Sequence, residues 1–141
     1  MTVAIETEGR GQLAIKITGV ASTSGGGIGA VVNPEGVNVV ILRATLYNHV
    51  LSTASATLSV GVAAAATTSA ADLLNALNIN TGGSIAVDTA FNCFVMENGA
   101  KTILSSGVPA VWTKDYYLTF TGSATTLGYE GYLFVEYVRA I

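Results

Sequence analysis

The chain has 141 residues, half of them apolar and only 11% charged, with a formal charge of −3; one domain spanning 1–141 is expected at this length. High apolar content with low net charge is the reverse of what disorder requires. The basic residues Arg10, Lys16, Arg43, Lys101, Lys114 and Arg139 are scattered, which argues against a nucleic-acid partner, whose phosphates need clustered cations.

The opening Met1-Thr2-Val3-Ala4-Ile5-Glu6, with Glu8 after it, has glutamates where a secretory signal would have lysine or arginine before an apolar run, so no export signal is expected. No unbroken apolar run reaches the roughly 18 residues of a membrane span, and no membrane partner is expected. Leu13, Ile15 and Ile17 alternate with Ala14, Lys16 and Thr18, the period of a half-buried strand. Ser24-Gly25-Gly26-Gly27-Ile28-Gly29 lacks the lysine of a phosphate-binding loop and leads into a β-like run. It predicts a flexible loop that a neighbour orders. After the turn residues Asn33-Pro34-Glu35-Gly36, the run from Val37 to Tyr47 is almost continuously apolar, which predicts a central strand covered on both faces.

Leu58, Val60 and Val62 alternate again. Ala70, Leu73, Leu74 and Leu77 then fall at helical spacing, with Thr68 or Ser69 as N-cap, Asp72 near the positive end of the dipole and Asn78 or Asn80 as the stop. One short helix around 68–77 is expected. Strands follow at Phe91–Met96, Asp115–Thr121 and Gly131–Arg139, rich in aromatic and β-branched residues. Glu97-Asn98-Gly99 suits a type I′ hairpin turn, and Cys93, the only cysteine, reads as a buried apolar residue within its strand. Short strands separated by turns predict an all-β, antiparallel β-sandwich, jelly-roll-like.

Chemistry is sparse. His49 is the only histidine, and the carboxylates match neither the zinc-protease spacing nor the calcium loop of an EF-hand. No G-x-S-x-G elbow is present to hold a nucleophilic serine. No catalytic residue, metal ligand or cofactor is expected, and His49 reads as a strand-end residue bonded locally. The aromatic residues gather toward the C-terminal end. Alternation in the last strand puts Tyr132 and Phe134 on one face and Leu133, Val135 and Tyr137 on the other. Both faces are apolar, so one is expected in the core and the other at an interface. Trp112, Tyr116, Tyr132 and Phe134 are the expected contact residues, because Tyr and Trp bring large area with a polar handle. A carbohydrate- or receptor-binding platform would use the same residue types.

The segment from Leu51 to Gly83, with Ala56-Thr57-Leu58-Ser59-Val60-Gly61 followed by a Thr/Ser/Ala connection, Asp72-Leu73-Leu74 and a Gly turn, resembles small structural proteins of tailed-phage heads. The ending Gly128-Tyr129-Glu130-Gly131-Tyr132-Leu133-Phe134-Val135-Glu136-Tyr137 resembles the final strand of such sandwich or jelly-roll proteins. The resemblance implies a non-enzymatic decoration, cement or fibre protein of the virion, sitting on the major capsid protein at the capsid surface. It also implies a homo-oligomer, with a trimer favoured. Composition agrees: ordinary globular chains carry about 25% charged residues, and the deficit here favours surface buried against partners.

Overall fold

A computed structural model describes residues 10–80, 93–97 and 110–139. Its strands are β1 (Arg10–Thr18), β2 (Gly29–Val32), β3 (Val39–Val50), β4 (Thr57–Ala63), β5 (Leu74–Asn78), β6 (Cys93–Glu97), β7 (Ala110–Trp112), β8 (Tyr117–Gly122) and β9 (Glu130–Arg139). They form two antiparallel sheets. Sheet A runs β1-β9-β3-β6, with β7 pairing the start of β3 beside β6, and sheet B runs β2-β8-β4-β5. Apart from the β4–β5 pair and the short β7, every successive strand changes sheet. That is the double Greek-key winding of a jelly roll.

Period-two alternation builds the core between the sheets. Ile17, Val39, Ile41, Ala44, Leu46, Leu133, Val135 and Tyr137 from sheet A meet Leu58, Val60, Leu74, Leu118 and Phe120 from sheet B. The long apolar run of β3 is resolved by a bulge. Ile41 pairs with Tyr137 but Arg43 pairs with Glu136, so Leu42 is the extra residue and the inward set shifts from Val39 and Ile41 to Ala44, Leu46 and Asn48. Among the described residues the strand is therefore covered on one face only. Val40, Thr45, Tyr47 and His49 lie half-buried on the other face, contrary to the expectation of cover on both.

No helix forms at 68–77. Residues 70–73 cross the outside of β4, and β5 then adds to the edge of sheet B. Three observations explain this. The Asp72 carboxylate accepts from the Val62 N–H (2.9 Å) instead of capping a helix. The Leu73 N–H donates to the Val60 carbonyl (2.9 Å). Gly61 leaves room for the crossing, since a Cβ there would stand 2.6 Å from the backbone of Ala70, Ala71 and Asp72. The helical spacing of Leu73, Leu74 and Leu77 is produced by a bulge: Leu77 faces Leu58 and Leu74 faces Val60, leaving Asn75 and Ala76 opposite Ser59. Ala76 adopts a positive φ of 52° there.

The glycine-rich loop is packed rather than loose. Gly26 has φ +64°, its N–H donates to Thr121 Oγ1 (3.0 Å), and a Cβ on it would lie 2.0 Å from the Ala66 carbonyl oxygen. The Asn98-Gly99 turn and the Cys93 side chain lie outside the described residues.

Candidate functional site

The two sheets differ in what they show to the outside. Sheet B presents Ser59, Gly61, Ala63, Thr119 and Thr121, small or hydroxyl-bearing residues, with Val32 (46% exposed) opposite Tyr117 at its β2 edge. Sheet A presents a row of rings. Strand β9 turns Leu133, Val135 and Tyr137 into the core and leaves Tyr132, Phe134, Glu136 and Val138 outside, as alternation expects.

Register then gathers aromatic rings from two strands. Tyr132 stands opposite Tyr47 and Phe134 opposite Thr45. The Tyr47 and Tyr132 rings are 6.4 Å apart at 30°, and the Tyr132 and Phe134 rings 6.3 Å apart at 14°. His49 continues the row, 6.2 Å from Tyr47. The Tyr47–Tyr132 and Tyr132–Phe134 rings are stacked, and a cross-strand aromatic pair such as Tyr47–Tyr132 contributes roughly 0.2–1 kcal/mol. Phe134 keeps 43% of its surface exposed, as does Val111, and Val40 and Val138 are paired in register beside them. Lys16 lies across from Tyr132, Ala14 from Phe134 and Gln12 from Glu136, giving the strip a polar border along β1. A shallow hollow lined by Gln12, Ala14, Phe134 and Glu136 sits on this border. An apolar centre with a polar rim is the anatomy of a contact surface.

Of the four contact residues expected from the sequence, the structure brings Tyr132 and Phe134 together. Tyr116 is exposed (38%), but it belongs to the connection from β7 in sheet A to β8 in sheet B, away from the row. Trp112 is fully buried. Its indole N–H donates to the Tyr116 carbonyl (3.0 Å), and its own carbonyl accepts from Asn33 Nδ2 (2.8 Å). It is a core anchor and not a surface contact, because β7 alternates Val111 out and Trp112 in. Tyr47 and His49 were missed by sequence reasoning. Their period-two relation was legible, but their pairing with β9 depends on the bulge at Leu42.

Two polar clusters flank the sandwich. Glu35 accepts from the Tyr137 hydroxyl and from Arg139 Nε (2.6 Å), so the β2–β3 turn is tied to the end of β9. The Tyr137 hydrogen bond, followed by that of Arg139, holds the Glu35 carboxyl below its ordinary range. Burial, reinforced by the Glu35 hydrogen bond, pushes Tyr137 up to about 12. At the other end Asn48 Oδ1 accepts from the Tyr129 hydroxyl (2.6 Å), and burial raises the Tyr129 pKa. Among the described residues no group of three or more His, Cys, Asp or Glu is placed to hold a metal ion, and no helix is long and apolar enough to cross a membrane.

No family model matches the sequence, and no curated protein matches it. Solved structures do. The chain is similar to one in the capsid of Ralstonia phage GP4, at TM-score 0.56 and 16% identity, covering 100% of this chain and 92% of that one. It is also similar to a chain of the cyanophage Pam1 capsid asymmetric unit, at TM-score 0.53 and 15% identity, covering 99% and 92%. At these identities the likeness is one of fold, and the fold is one found in phage capsids.

Proposed function

We propose that this chain is a non-enzymatic virion structural protein that decorates or stabilises a phage capsid at its surface, docking on the major capsid protein through the outer face of sheet A. The observation that carries the reading is the Tyr47–Tyr132–Phe134 strip, a row of stacked rings on the outside of a sandwich whose fold occurs in two phage capsids. Aromatic side chains with a polar border supply a few anchors, and anchors decide affinity more than total area does. The mechanism is mechanical: apolar contact across subunit boundaries resists expansion of the shell. The trimer expected from the sequence has no supporting observation in the structure.

Purified protein mixed with shells that lack it tests the reading directly. Co-sedimentation that saturates at a fixed number of copies per shell is expected. Tyr132→Ser with Phe134→Ser should weaken it by tenfold or more, as loss of anchors costing about 1.4 kcal/mol or more would. A second reading, a carbohydrate-binding module, is favoured by the exposure of Phe134, 43%, at the end of the ring row, where a sugar could pack against it. Glycan-induced thermal stabilisation without shell binding would favour it.

A further inference from the structure

Strand β1 is the most open edge of the described fold. Among the described residues it pairs on one side only, with β9, in an unbroken register from Arg10–Val138 to Thr18–Glu130. The other edges are blunted. Strands β2 and β5 have four and five residues, β5 is bulged, and the far side of β3 is divided between β6 and β7. Natural sheets protect long edges with lysine and other charges, proline, bulges, inward charges or brevity, because an edge is a row of unpaired N–H and C=O groups. Strand β1 has nine residues, no proline and no bulge, its inward side chains are Leu13, Ile15 and Ile17, and its protection is limited to exposed Arg10 and Lys16.

We infer that two copies of this chain pair β1 with β1 across a twofold axis at Ala14, joining their A sheets into one. The register follows from length and charge. Antiparallel pairing must put outward residues opposite outward residues. Centred on residue 13, it would set Arg10 against the partner's Lys16, a like-charge pair. Centred on residue 15, it would leave Arg10 and Gly11 without opposite strand positions. Centred on Ala14, all nine residues find partners: Arg10 meets Thr18, Gln12 meets Lys16, and half-buried Leu13 covers half-buried Ile15 in both directions. Ala14 meets its own mate, and it is the small residue beside Phe134. Only the two Ala14 residues therefore separate Phe134 of one copy from that of the other, and Lys16 of each copy stands opposite Gln12 of the partner subunit. The contact is isologous, so it closes at two copies. It stands on the edge strand alone and does not depend on the capsid reading.

The test combines mass and cross-linking. Light scattering of the wild type should give twice the 14.4 kDa of one chain, and Ala14→Glu, at an exposed position, should return it to one chain with an unchanged β spectrum. Ala14→Cys should form a disulfide dimer under mild oxidation, because directly opposed residues are about 4.5–5.5 Å apart between Cα atoms. Gln12→Cys should not, since its mate lies roughly 13 Å along the seam. Wild type, with Cys93 alone, sets the background. A wild type that stays at one chain, with no cross-link formed by the Ala14→Cys variant, overturns the inference. So does a dimer or trimer indifferent to Ala14→Glu, or cross-linking as efficient from Gln12→Cys as from Ala14→Cys. Failure here leaves shell binding by the aromatic face standing, and loss of shell binding leaves the dimer standing.

Discussion

Asn48 shows how much one buried side chain is asked to do. It is fully buried, its carbonyl oxygen is satisfied by the Tyr129 hydroxyl, and its Nδ2 has no hydrogen-bond partner among the described residues. The phenol reaches it over Gly131, where a Cβ would lie 2.3 Å from the hydroxyl oxygen. Tyr129→Phe would leave the amide carbonyl buried without a partner, a loss of about 1–3 kcal/mol, read as a lower urea midpoint with an unchanged m-value. Gly131→Ala should cost stability as well, by displacing the phenol. The Glu35 cluster makes a prediction in pH. The folded-state pKa of Glu35 is depressed from the ordinary 4.5, so its contribution is present above that value and is lost as pH falls through the depressed one. Glu35→Gln should lower the melting temperature at neutral pH, and the gap from wild type should close on acidification below about pH 4. A gap constant with pH would mean that the carboxylate charge contributes nothing.

At the scale of elements, the residues that misled sequence reasoning are those where a bulge imitates another period. Leu73, Leu74 and Leu77 are spaced as on a helix, yet two of them are adjacent inward residues before a bulge and the third follows it. Gly61 and Asp72 held the clue, since one clears a path across β4 and the other accepts from its backbone, but neither role shows without the partner strand. Regular alternation transferred well: Leu13 to Ile17, Leu58 to Val62 and the two faces of β9 lie as their period-two pattern requires. The outward placement of Tyr132 and Phe134 was legible for that reason, and Trp112 was misplaced because a three-residue strand offers too little alternation to fix its inner side. The bulge in β5 also predicts a gain. Ala76 is exposed at φ 52°, a conformation that costs a residue with a Cβ about 1–2 kcal/mol and glycine almost nothing. After the extra chain entropy of glycine, Ala76→Gly should raise stability by roughly 0.5 kcal/mol, measured by chemical denaturation. Ala76→Val should lower it.

Across the whole molecule, one winding separates two jobs. Sheet B covers β4 with a crossing segment and shows Val32 and Tyr117 only at its β2 edge, while sheet A carries the row of Tyr47, Tyr132 and Phe134 outside. A chain with 11% charged residues has little charge with which to solvate such a surface, and burying the A face against a shell accounts for both observations. Oxidative footprinting of Tyr47, Tyr132 and Phe134, comparing free protein with protein bound to capsid shells, tests this most directly. The account predicts that these three lose reactivity on the shell while Tyr116, exposed on the sheet-to-sheet connection, keeps its own. Equal reactivity of the strip in both states, or protection confined to Tyr116, would contradict docking through sheet A.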